Sequence, residues 1–215
     1  MITSFYSYVS GSNFYGYPPR YSVYGAYPMC PMYPEYPNTA TAPITIEKAV
    51  EIAQRYLSSL NNPDLAVGEV EEYSLNFYVQ YYERSTNIGA FEMLIDKNTG
   101  SIYPEPGPNM MWNTKYGMRS GMMGMMGWMH GMMGGVNTTT SMPITIEQAR
   151  AYAQQYLNTY YPGATVGEIK PFYGYYHVMV ELHDKPYGML SVNGYTGQVW
   201  YHTWHGTFIQ EIELD

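Results

Sequence analysis

Apolar side chains at Ile46, Ala49, Val50, Ala53, Tyr56, Leu57 and Leu60 follow the three-and-four spacing that places them on one face of a helix. Thr45 stands where an N-cap belongs, and Glu47 lies in the first turn, near the positive end of the helix dipole. The same signature returns later in the chain. Ile146, Ala149, Ala153, Tyr156, Leu157 and Tyr160 form the matching stripe, and Thr145 with Gln148 has the spacing of a capping box. Breaker residues close both runs, Asn61-Asn62-Pro63-Asp64 in one and Tyr161-Pro162-Gly163 in the other. The period then changes to two. Phe77, Val79 and Tyr81 alternate with their neighbours, as do Tyr176, Val178 and Val180, predicting strands. Second strands are predicted over Ala90 to Ile95 and Gly188 to Val192. Asn98-Thr99-Gly100 and Tyr195-Thr196-Gly197 mark turns into third strands, Ser101 to Tyr103 and Gln198 to Tyr201.

The chain is an internal repeat. Pro43-Ile44-Thr45-Ile46-Glu47-Lys48-Ala49 returns as Pro143-Ile144-Thr145-Ile146-Glu147-Gln148-Ala149. Val67-Gly68-Glu69-Val70 returns as Val166-Gly167-Glu168-Ile169, and the segment from Ile95 to Gly100 as that from Val192 to Gly197. The offset shortens from 100 to 99 to 97 positions, so the indels fall between elements, where loops tolerate them. The fold class expected is α+β: two repeated small domains, each one helix packed on an antiparallel sheet. The first spans 43–103 and the second 143–215, including a C-terminal strand. An extended Tyr/Pro-rich arm, 1–42, precedes them, and a Met/Gly-rich linker, 104–142, joins them.

The Thr-capped ITIEKA helix, the VGEV strand, the Tyr/Val-rich hairpin and the closing turn with Asp96, Asn98, Thr99 and Gly100 resemble the PepSY domain. The resemblance covers about 43–103 and 143–205. It implies an α+β module that is extracytoplasmic and non-catalytic, of the kind found in propeptides of thermolysin-like proteases and in stand-alone or tandem secreted proteins. It supplies no catalytic residues and leaves 1–42 and 104–142 unexplained.

Composition narrows the function. Only 13% of residues are charged, against about 25% in an ordinary soluble domain. The net charge is −8, the wrong sign for nucleic acid, whose binding rests on Lys and Arg neutralising phosphates. No uncharged apolar run reaches the roughly 18 residues of a membrane span. A single cysteine, Cys30, excludes an intrachain disulfide framework and Cys-pair zinc or haem sites. The arm lacks the basic start and apolar core of a signal peptide. An extracellular or cell-surface location therefore implies a leader already removed.

The unusual composition is concentrated in the two extra segments. The arm has nine tyrosines, six prolines and two charges, Arg20 and Glu35. Its Tyr-Pro steps favour extended or polyproline-like backbone, and Phe5 to Val9 reads as a short strand able to add to a sheet edge. It is either a linker-like tail or an arm that docks on another subunit, where tyrosine buries large area at low rotamer cost. Ten of the 17 methionines lie between 110 and 133 of the linker: Met110, Met111, Met118, Met122, Met123, Met125, Met126, Met129, Met132 and Met133, with His130 among them. Thioether sulfur is a soft, neutral ligand suited to Cu(I) or Ag(I). The same stretch also suits a packing strap or a weak membrane-surface contact, since methionine fills irregular gaps.

Four of the five histidines lie in the second repeat, His177, His183, His202 and His205. His202 and His205 flank Trp204 at a spacing of three and form a weaker candidate copper or zinc site; surface histidines at a strand end are the alternative. Cys30, between Met29 and Met32, is a further soft-ligand candidate or a packed free thiol. Glu69, Glu71 and Glu72 read as a solvated strand face. No HExxH, phosphate-binding glycine loop or nucleophile–base constellation is present, so no enzyme is expected. The reading reached is a non-enzymatic extracytoplasmic structural protein. It self-assembles with copies of itself through the arm, as a fibre or surface-layer subunit, and binds soft metal through the linker. The alternatives are a soluble Cu(I)/Ag(I)-binding protein and a PepSY-type protease inhibitor.

Overall fold

Both helices begin where the sequence places them. In the computed structural model, which describes residues 43–118 and 141–214, α1 spans Ile46–Ser59 and α3 spans Ile146–Tyr160. Thr45 Oγ1 accepts from the Lys48 N–H, and the Thr145/Gln148 capping box is closed in both directions. Each helix is followed by a four-strand meander: β1 Leu65–Tyr73, β2 Asn76–Glu83, β3 Ile88–Asp96 and β4 Ile102–Pro104, then β5 Ala164–Phe172, β6 Tyr175–Leu182, β7 Pro186–Asn193 and β8 Val199–Tyr201. A one-turn helix, α2, Pro108–Met111, follows β4, and a last strand, β9, Phe208–Glu213, follows β8.

The described strands form one sheet, in the order β8-β7-β6-β5-β3-β2-β1-β9, with β4 also on β3. Pairing is antiparallel except at the junction, where β3 and β5 meet in parallel at Gly89 and Phe172. There a Cβ on Gly89 would lie 2.5 Å from the Phe172 ring, so only glycine allows this approach. The class is thus α+β with a mostly antiparallel sheet, and the two meanders share hydrogen bonds instead of standing apart. The C-terminal strand expected in the second repeat pairs with β1, the outer strand of the first.

Strand alternation then makes two kinds of interior. Phe77, Val79 and Tyr81 of β2 join Ala49, Ala53 and Ile95 in a core under α1. Val178, Val180, Leu190 and Val192 join Ala149, Ala153 and Leu157 in a core under α3. The opposite strand faces are pressed against each other. Tyr73, Tyr78 and Leu94 of the first meander pack with Met189 of the second, and Lys170 Nζ reaches Glu69 at 2.5 Å. The one sheet folds back on itself at the β3–β5 junction, so the layers run helix, first meander, second meander, helix, and the space between the two halves of the sheet is lined largely by polar and aromatic side chains.

Candidate metal centre

Two edge strands deliver the ligands. β4 ends at Pro104, and the Glu105 N–H donates to the Glu92 carbonyl, continuing the ladder on β3. β8 ends at Tyr201, and the His202 N–H donates to the Met189 carbonyl in the same manner on β7. Glu105 and His202 lie 97 positions apart, the offset that aligns the closing turns of the two repeats. They occupy equivalent places, and both side chains enter the layer between the sheets. From His202 the chain crosses to the first meander. The Leu75 N–H donates to the His205 carbonyl and the Ser74 N–H to the Thr207 carbonyl. Gly206, at φ +83°, permits that crossing, because a Cβ there would sit 2.1 Å from Ser74 Oγ.

Glu105, His202 and His205 converge, each offering a ligand atom within 4.8 Å of the others, and all three are buried. Glu105 Oε1 lies 2.8 Å from His205 Nε2, 3.2 Å from His202 Nδ1 and 3.1 Å from the donating Trp204 Nε1. Glu105 Oε2 and His202 Nδ1 make no hydrogen bond among the described residues. Burial pushes the Glu105 carboxyl up, but the two imidazoles outweigh it and hold the group well below the usual carboxylate range. His205 is lowered, chiefly because burial disfavours its charged form.

The proton arrangement at His205 decides what the site can hold. Asn76 Nδ2 donates to the Trp204 carbonyl at 2.8 Å, which turns Asn76 Oδ1 toward His205 Nδ1 at 2.9 Å. Nδ1 must therefore carry hydrogen. In a neutral ring, Nε2 then points a lone pair at an ionised carboxylate oxygen 2.8 Å away. Two facing lone pairs need a cation between them, either a proton or a metal ion. His202 has a similar layout. Its Nε2 is 3.0 Å from Ser191 Oγ, and its Nδ1 faces Glu105 without a hydrogen bond. Metal-bound histidines are oriented in this way, with the distal ring nitrogen on a protein acceptor and the proximal one on the ion. The 2.8 and 3.2 Å separations of the two imidazole nitrogens from Glu105 Oε1 are within a few tenths of an ångström of the ligand–ligand spacing around a tetrahedral ion with bonds of about 2.0–2.2 Å.

A second buried cluster adjoins the first. Glu92 accepts from Tyr78 Oη at 2.7 Å, Tyr175 Oη at 2.5 Å and His177 Nδ1 at 2.8 Å. Burial opposes charge on His177, but the bond to Glu92 prevails and holds its pKa up to about 9. Glu71, fully buried with Oε2 accepting from Tyr73 Oη, is pushed up to about 8 by burial and then by the Glu69 charge.

Several expectations change here. Glu69 and Glu71 do not form a solvated face: β9 covers the edge of β1, and the second meander covers its face. Only Glu72 of the three is partly exposed, and it pairs with Lys97. His202 and His205 are not surface residues at a strand end, because the crossing loop tucks both between the sheets. His183 is exposed, in the turn between β6 and β7. Of the linker candidates, Met110 is half-buried in α2, while Met111 and Met118 are exposed. Met122, Met123, Met125, Met126, Met129, His130, Met132, Met133 and Cys30 lie outside the described residues, as does the strand expected at Phe5 to Val9. No local pattern in the sequence marks Glu105. Aligning the closing turns of the repeats sets it opposite His202, the one available signal.

No family model matches the chain, and no curated protein matches it. Among solved structures, the Bacillus megaterium YpeB C-terminal domain is similar at 13% identity over 76% of this chain and 68% of that one, with a TM-score of 0.36. A candidate lipoprotein (CD1622) from Clostridium difficile 630 is similar at 14% identity over 76% of this chain and 95% of that one, with a TM-score of 0.23. Likenesses at this level carry no functional conclusion, and the PepSY likeness remains one of sequence motifs.

Proposed function

We propose that this chain is a non-enzymatic, extracytoplasmic metal-binding protein that holds one divalent transition ion through Glu105, His202 and His205. The carrying observation is the pair of imidazoles whose distal nitrogens face Asn76 and Ser191 while their proximal nitrogens face one buried carboxylate. Imidazole and carboxylate donors suit Zn(II) or Cu(II) better than Cu(I), so this centre differs from the soft site expected in the linker. The linker methionines and His130 are proposed as a separate site for Cu(I) or Ag(I), supported by their density in the sequence. The Glu105 centre is closed, since Glu105, His202 and His205 are all buried. An ion there would join the first meander to the crossing loop, a structural role and not a catalytic one.

Equilibrium dialysis of the full chain against Zn(II) or Cu(II), with metal content measured afterwards, tests this reading. Trp204 stacks on His202 at 4.7 Å between ring centroids and donates to Glu105, so Cu(II) binding should quench its fluorescence. One equivalent lost in His205→Gln and Glu105→Gln supports the proposal. Unchanged stoichiometry in both variants would place the metal elsewhere.

A second role, assembly with further copies, is favoured by tyrosines left exposed on α3 and in the strands and turns of the second repeat. Tyr160 is 65% exposed, and Tyr152, Tyr187 and Tyr195 are also exposed nearby in the second repeat.

A further inference from the structure

Beside α3 lies a groove of about 370 Å³ lined by Tyr152, Gln155, Tyr156, Thr159, Tyr160 and Val199. The three tyrosines are spaced by four, so they share one helix face. Tyr156 and Tyr160 have ring centroids 4.7 Å apart. Tyr152 lies over Gly197, where a Cβ would come 2.8 Å from the ring. No charged side chain lines the groove. Tyr156 packs against the core under α3, while Tyr152 and Tyr160 stay exposed, unlike the core-packed residues at the matching positions of the first repeat. Its equivalent positions are Ile52, Arg55, Tyr56, Ser59 and Leu60, and Ile52 and Leu60 pack against the core under α1.

A row of tyrosine rings with amide and hydroxyl groups between them is the chemistry that receives a polyproline helix. Proline rings pack on aromatic faces, and the exposed carbonyls of the extended backbone accept hydrogen bonds. This chain carries such a ligand. Pro28, Pro31, Pro34 and Pro37 recur every third residue, the period of the polyproline helix, so all four fall on one side. Between them lie Met29, Cys30, Met32, Tyr33, Glu35 and Tyr36, with Glu35 the one charge, which matches an uncharged groove.

We propose that the Pro28–Pro37 stretch of one chain docks in the α3 tyrosine groove of a second copy. The inference deepens the assembly reading above and is independent of the metal centre. Reach decides between copies. The Ile44 N–H is tied to the Lys97 carbonyl in the first repeat, leaving residues 38–43 as connector. Six residues span at most about 20 Å. The helices α1 and α3 lie on opposite outer layers with two sheets between them, a separation of roughly 30 Å at about 10 Å per layer. So short a connector favours the groove of a second copy over the chain's own. One arm and one groove per copy, if each engages a different neighbour, make a heterologous contact that propagates head to tail.

Sedimentation velocity of the full chain tests this with two variants and their mixture. One has Pro28, Pro31, Pro34 and Pro37 replaced by serine. The other carries Tyr152→Ser and Tyr160→Ser, both at exposed positions, with folding checked by circular dichroism. The wild type is expected to form a concentration-dependent series of oligomers, and each variant to associate at least tenfold more weakly. The mixture should form a discrete dimer, since one partner keeps an intact arm and the other an intact groove. If both variants assemble like the wild type, assembly stands through another contact and this inference fails. A wild type that stays monomeric at high concentration overturns both, and a mixture that gives no dimer overturns the arm–groove contact.

Discussion

The core under α1 and the layer between the sheets are built by the same strands, one residue out of step. Along β2, Phe77, Val79 and Tyr81 turn to the helix, whereas Asn76, Tyr78 and Gln80 turn to the other sheet. The helix side is a conventional apolar core, in which volume and fit set the energy. On the other side nearly every side chain has a named polar partner: Tyr78 with Glu92, Asn76 with His205, and Lys170 with Glu69 and Gln80. Buried polar networks of this kind add little net stability compared with an apolar interior but specify one arrangement. The first interior stabilises the fold; the second positions Glu105, His202 and His205.

The comparison can be broken from either side. Phe77→Ala, which empties a fully buried site under α1, should cost about 3–5 kcal/mol in denaturant unfolding while leaving metal stoichiometry unchanged in the fraction that folds. In the polar layer, Glu92→Ala strips the partner from a buried imidazolium and two tyrosines. It should cost about 3 kcal/mol, with part of that loss recovered in the Glu92→Ala/His177→Gln double variant.

Alkaline pH should weaken the polar layer selectively. Glu71 is raised from 4.5 to about 8, so the fold favours its protonated form. That contribution is complete below about 4.5 and disappears as pH rises through 8. His177 is raised from 6.5 to about 9; its contribution is complete below 6.5 and lost as pH rises through about 9. Both act in one direction, and thermal midpoints should fall between pH 6 and 9, by the equivalent of roughly 1–3 kcal/mol. Glu71→Gln and His177→Gln should each flatten part of the slope; a full slope in both would place its origin elsewhere. The smaller effects are local. Thr145→Ala, which opens the capping box, should cost about 1 kcal/mol, and Lys48→Ala, at an exposed pair, less than about 0.5 kcal/mol.

The helix–sheet cores were legible in the sequence because they rest on local period. Thr45 and Thr145 cap the predicted helices, and Phe77, Val79, Tyr81, Tyr176, Val178 and Val180 fall on the predicted faces. The polar layer was largely illegible, because it is made of long-range pairs. His205 meets Glu105 and Asn76 across 100 and 129 residues, and no local pattern specifies such contacts. Glu71 illustrates the difference. Alternation puts it on the face away from α1, and a polar residue on such a face reads as solvated unless a second sheet covers it. His202 and His205 were visible through their spacing alone, and their burial depends on the crossing from β8 to β9.

The proposed ion of the polar layer sits at Glu105, His202 and His205. Isothermal titration of the full chain with Zn(II), alongside Glu105→Gln, measures it most directly. One equivalent is expected to bind with proton release, with at least a hundredfold weaker affinity in Glu105→Gln while circular dichroism stays that of the wild type. Identical binding by the two proteins, or none by the wild type, would contradict this.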